Sequence, residues 1–207
     1  MKENLTELIF IVDQSGSMMH LTEDTIGGFN SLIDAQKNVP GEALVTLTLF
    51  DHNVTTPLKH INLKDVRHID HSTYCAKGMT ALLDAIGITV DDVGKRLAET
   101  DEADRPSKVM VVIITDGEEN SSKQFTKEQI KNKLEEQTNK YNWEFLFIGA
   151  NIDSFGEASA LGISASNTAN FTANSVGSQS VYRTVSDTMN SYRTTGNVDI
   201  DWAANIK

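Results

Sequence analysis

One cysteine, Cys75, stands in the 207 residues, so a disulfide framework within the chain is excluded. That fits a reducing compartment, and Cys75 itself reads as a small buried or half-buried filler. No apolar stretch approaches the length of a membrane span. The N-terminus, MKENLTELIFIVD, has a short apolar run and no small-residue cleavage site after it, unlike a secretory leader. The expectation is a cytoplasmic protein with no membrane partner. Basic residues are scarce as well: 18 Lys and Arg against 29 Asp and Glu give a formal net charge of −11. Such a surface repels phosphate backbones, which argues against nucleic acid as a partner, and it draws divalent cations.

With 39% hydrophobic and 23% charged residues, the chain has enough apolar material for one α/β domain with a buried core. Leu8 to Val12 is a continuous, β-branched run suited to a strand covered on both faces. Ala43 to Phe50 reads as a second strand. Val54 to Leu63 reads as a third, antiparallel and at an edge, because the Asp51-His52-Asn53 turn is hairpin-short and Pro57 suits an edge. Lys108 to Thr115 is the most apolar segment and belongs in the middle of the sheet. Trp143 to Ile148 and Ala169 to Thr172 complete the strands. Helices are predicted after Thr22 as N-cap, from about Thr80 to Ala98, from the Thr126/Gln129 capping box to Lys140, over Ser154 to Leu161, and over Ser178 to Thr194. Strands alternating with helices imply a Rossmann-like, doubly wound, mainly parallel sheet with one antiparallel edge strand and helices on both faces. No repeat or linker interrupts it, so residues 1–207 are expected to form a single domain. Residues 196–207 are expected to be a loosely held tail.

Three short motifs lie where one element hands over to the next. Asp13-Gln14-Ser15-Gly16-Ser17 follows the first buried strand. Gly78-Met79-Thr80-Ala81-Leu82 opens the long helix. Thr115-Asp116-Gly117 ends the most apolar strand. In open α/β sheets, ligands gather outside the carboxyl ends of the parallel strands, so this topology brings all three motifs to one edge. Ser15, Ser17 and Thr80 offer hydroxyl oxygens; Asp13 and Asp116 offer carboxylates. Hard oxygens without His or Cys suit Mg²⁺, with Mn²⁺ and Ca²⁺ as alternatives. If the two carboxylates bind through water, such a set leaves the ion under-neutralised and ready to take an anionic oxygen from a partner's Asp or Glu. Asp-x-Ser-x-Ser alone arises by chance in roughly a few per cent of chains this long. The three motifs in order, each at an element boundary, are far rarer.

These residues resemble the metal-ion-dependent adhesion site (MIDAS) of the von Willebrand factor A family. The run from Asp13 to Met18 with Gly78 to Asp84 looks most like its stand-alone bacterial or phage members. The resemblance implies a metal, typically Mg²⁺, held directly by Ser15 and Ser17. Thr80, Asp13 and Asp116 would complete the shell, directly or through water. It also implies a site used for protein binding rather than catalysis. Oligomeric state is left open.

The alternative is a phosphatase or phosphotransferase with Asp13 as nucleophile on a similar sheet. That chemistry expects a second acid where Ser15 stands and a basic residue for the phosphoryl group. Dinucleotide binding lacks its Gly-x-Gly-x-x-Gly fingerprint, and an acyl-transfer hydrolase lacks its Gly-x-Ser-x-Gly elbow. Asp84, Glu118 and Glu119 read as solvated rim charges or helix-terminus partners. The five histidines, His68-x-x-His71 included, read as surface or loop residues. Trp143 and Trp202 read as packing residues.

Overall fold

The computed structural model describes residues 1–207. Strands β1 (Lys2–Asp13), β2 (Glu42–Phe50), β3 (Val54–Asn62), β4 (Pro106–Thr115), β5 (Glu144–Gly149) and β6 (Thr168–Asn170) form one sheet, in the order β3-β2-β1-β4-β5-β6. Every neighbouring pair is parallel except β2 and β3. The architecture is the predicted doubly wound one. From β1 the chain winds first toward β2 and β3, then crosses back to β4 and continues to β6. The reversal opens a crevice at the carboxyl ends of β1 and β4.

Side chains alternate between the two faces of each strand. Leu8, Phe10, Val12, Met110, Val112 and Ile114 face α1 (Thr22–Lys37) and α5 (Ser175–Thr195), meeting Phe29, Leu32, Val185 and Met189. Ile9, Ile11, Val111 and Ile113 face the other side, where α2 (Leu82–Glu99), α3 (Lys127–Tyr141) and α4 (Ser154–Ala160) supply Leu82, Ile86, Val90, Ile130, Leu134 and Ala158. Covering on both faces is why the central strands are apolar without interruption. Helix ends follow their local chemistry. Thr126 and Gln129 form the expected capping box on α3, an arrangement worth ~1 kcal/mol. Gly196 takes the left-handed conformation (φ 81°) that stops α5.

Several expectations need correction. β1 begins at Lys2 rather than Leu8. The polar pair Thr6 and Glu7 hides its first half, yet both are buried; Arg96 Nη2 lies 2.8 Å from Glu7 Oε1 and balances its charge. Thr22 is not an N-cap. A 3₁₀ turn (Gly16–Leu21) runs straight into α1, and the Thr22 hydroxyl donates back to the Met19 carbonyl. α2 starts at Leu82, because Thr80 and Ala81 are tied to neighbouring loops. Cys75 is exposed, not a buried filler; its neighbours Tyr74 and Ala76 fill the core instead. The tail is not loose. Trp202 is buried and its indole Nε1 donates to the Ser166 carbonyl at 2.7 Å, while the Lys207 carbonyl accepts from the Thr172 amide at 2.8 Å. Trp143 is also buried, as predicted.

Candidate metal centre

Three loops meet at the crevice and are sewn together by main-chain hydrogen bonds. The Gly16 amide donates to the Gly78 carbonyl (3.0 Å) and the Lys77 amide to the Gln14 carbonyl (2.7 Å), joining the first loop to the second. Gly78 adopts φ +75°, where a side chain would also run into His52. The Thr80 amide donates to Asn120 Oδ1 (2.9 Å) and the Asn120 amide to the Thr80 carbonyl (3.0 Å), joining the second loop to the third.

These ties bring all five predicted residues together. Ser15 Oγ lies 2.9 Å from Ser17 Oγ, and the Ser17 hydroxyl donates to Asp116 Oδ1 at 2.5 Å. A Cβ placed on Gly117 would sit 3.0 Å from Thr80 Oγ1, 3.3 Å from Ser17 Oγ and 3.6 Å from Asp13 Oδ2. Three oxygens from two loops thus converge, beside Gly117 of the third loop, on one point that the missing Gly117 side chain leaves free. Asp13 is fixed by the Ser15 amide on Oδ1 (2.6 Å) and by the Thr115 hydroxyl on Oδ2 (2.6 Å).

The electrostatics suit a cation. Burial raises the Asp13 carboxyl to about 6, against the opposing pull of its hydrogen bonds from Thr115 and Ser15. Burial likewise raises Asp116, opposed by the Ser17 hydroxyl. Asp116 Oδ2 is buried and has no hydrogen-bond partner. Buried oxygens normally find one, so this atom is short of a positive group. No cluster of three or more His, Cys, Asp or Glu side chains is present; what is gathered here is two carboxylates and three hydroxyls.

No family model matches the sequence, and no curated protein matches it significantly. Solved structures do match in shape. A von Willebrand factor type A structure from Catenulispora acidiphila aligns over 88% of this chain and 42% of its own, with TM-score 0.58 and 13% identity. The chain has the von Willebrand factor A fold. Proximal thread matrix protein 1 from the mussel byssus, solved with a zinc-occupied MIDAS motif, covers 89% of this chain and 46% of its own, with TM-score 0.61 and 17% identity. Manganese-loaded TRAP from Plasmodium vivax covers 81% and 68%, with TM-score 0.55 and 17% identity. The chain therefore spans less than half the length of the mussel and Catenulispora structures.

In this von Willebrand factor A fold, the supporting residues were hard to find in the sequence. Tyr74, fully buried, donates its hydroxyl to the Asp13 carbonyl at 2.8 Å and pins the end of β1. Asp84 accepts the amides of Lys123 (2.8 Å), Gln124 (2.9 Å) and Phe125 (3.0 Å), holding the third loop against α2. Glu119 accepts the Leu83 amide at 2.9 Å, at the start of the same helix. The helix-terminus reading holds for Glu119, whereas Asp84 is a loop anchor. Glu118 is exposed. His68 and His71 pair with Asp34 and Glu23 on the surface. No local sequence signal marks Tyr74 or Asp84, because their partners lie 61 and about 40 residues away.

Proposed function

We propose that residues 1–207 act as one divalent-cation-dependent protein-binding module. Asp13, Ser15, Ser17, Thr80 and Asp116 hold the cation, and a carboxylate from a protein partner completes its coordination. The observation that carries this reading is the convergence of Asp13, Ser17 and Thr80 oxygens on one point beside Gly117, with an unpartnered Asp116 oxygen nearby. The donor set is all hard oxygen, which favours Mg²⁺ first, then Mn²⁺ or Ca²⁺. The zinc and manganese held by two proteins of the same fold support divalent-cation use.

When bound, the cation supplies a point of positive charge with an open position for an anionic oxygen. The chain's own residues do the rest. Asp13 and Asp116, costly as buried anions, gain a counter-charge. Ser15, Ser17 and Thr80 add neutral dipoles, and carboxylates that bind through water leave part of the cation's charge to attract a further carboxylate. Tyr74, Thr115, Asn120 and Asp84 keep the three loops in place. Ser15 stands where the phosphotransferase alternative needs its second acid, which favours a binding module. No helix is long and apolar enough to cross a membrane, and action in the cytoplasm belongs to the same proposal.

Titration calorimetry with Mg²⁺ tests the reading. Asp116→Ala is expected to abolish the binding heat while the circular dichroism spectrum stays unchanged. Equal Mg²⁺ affinity in the variant overturns the assignment.

A further inference from the structure

Large hydrophobic side chains exposed to water are few in this chain: Met1, Met19, Met79, Tyr141, Phe155, Val176 and Ile200. Four of them sit at one edge of the sheet. Phe155 and Val176 are the second residues of α4 and α5, just past the carboxyl ends of β5 and β6. Met19 and Met79 lie closest to the metal centre. Met19 stands two residues after Ser17 and is 64% exposed; Met79 directly precedes Thr80 and is 55% exposed. The Gly16–Gly78 hydrogen bond joins the loops that carry them. Two exposed, flexible thioethers are therefore carried by the two joined loops that also carry Ser17 and Thr80.

Exposed apolar groups gathered around a polar site mark interaction surfaces, whereas singly scattered ones do not. We propose that the partner presents its carboxylate on a peptide segment whose neighbouring side chains are apolar, and that these pack against Met19 and Met79. The proposal rests on the cation-dependent reading above and adds the chemistry of the partner. Charge argues for the same occupant. The chain carries a net charge of −11, so a segment with several acids is repelled as a whole. One isolated carboxylate among apolar residues keeps the attraction to the cation and avoids that repulsion. Methionine suits such a rim because its unbranched, polarisable side chain adapts to varied apolar shapes.

The probe is a peptide library with one fixed Asp or Glu and randomised flanks, captured by the full chain in Mg²⁺ and in EDTA. The expected result is Mg²⁺-dependent enrichment of aliphatic and aromatic flanks. The double variant Met19→Ser/Met79→Ser should bind selected peptides roughly 10- to 30-fold more weakly, from the apolar area left unburied. Its rise in melting temperature with Mg²⁺ should match the wild type, showing that the metal centre is intact. Enrichment of basic, acidic or polar flanks, or unchanged affinity of the double variant, overturns the inference and leaves the carboxylate reading standing. Wild-type protein whose melting responds to Mg²⁺ but which captures no peptide overturns the inference together with the carboxylate partner. No melting response to Mg²⁺ in the wild type overturns the metal reading itself.

Discussion

Replacing Asp13 with Asn should stabilise the metal-free protein while destroying its response to metal. Asp13 is fully buried, and loss of water raises its carboxyl from the usual 3.8 to about 6. That difference corresponds to about 3 kcal/mol of preference for the protonated form. Because the folded value lies above the unfolded one, the folded chain takes up the proton more readily. The penalty is complete above about pH 6 and fades as the pH falls from 6 toward 3.8. Asparagine removes the charge and keeps the contacts. Its Oδ1 accepts from the Ser15 amide, and its Nδ2 donates to Thr115 Oγ1, whose proton turns to the Gly117 carbonyl 3.1 Å away. At neutral pH in EDTA, Asp13→Asn should therefore be more stable than wild type by up to about 3 kcal/mol. For a chain of this length each kcal/mol raises the melting temperature by roughly 2–4 °C. The wild type should close that gap on mild acidification. It should also close it in Mg²⁺ at about a hundred times Kd, which contributes about 2.7 kcal/mol. The variant should not respond to Mg²⁺ and should gain less than wild type on acidification, since Asp116, also raised by burial, still titrates. Scanning calorimetry across pH, in EDTA and in Mg²⁺, reads all of this. A variant that melts below wild type in EDTA at neutral pH refutes the claim that the carboxylates are held in reserve for a cation.

Gly117→Ala should block metal binding with a stability change within about 1 kcal/mol, since the new methyl sits 3.0 Å from Thr80 Oγ1 and 3.3 Å from Ser17 Oγ; calorimetry with Mg²⁺ and a denaturant melt check the two halves. Asp84→Ala leaves three loop amides without their acceptor and should cost about 3 kcal/mol, with hydrogen exchange accelerating at Lys123, Gln124 and Phe125. Trp202→Ala should cost about 3–5 kcal/mol in denaturant unfolding, because the indole is buried and bonded to Ser166; a cost under 1 kcal/mol would return the tail to the loose state expected from its sequence.

Periodicity alone disclosed the layered α/β plan. Leu8 to Val12 and Lys108 to Thr115, short, β-branched and apolar, suit covered strands, and Pro57 and the short Asp51–Asn53 turn placed the antiparallel edge. The residue types of the five candidate ligands were equally legible, since hydroxyls and carboxylates at the ends of apolar runs are visible without coordinates. Three things were decided only in space. The first is which polar residues are interior: Glu7 is tolerated in the middle of a sheet because Arg96 reaches it from α2. The second is the fate of the tail, which Trp202 anchors through a contact 36 residues away. The third is the metal centre's charge state and shape. Asp13 and Asp116 shift only because three loops, joined by Gly16–Gly78 and Thr80–Asn120 hydrogen bonds, shut water out around them. Composition and spacing act through neighbours along the chain, whereas desolvation and convergence depend on atoms that the fold alone brings within a few ångströms.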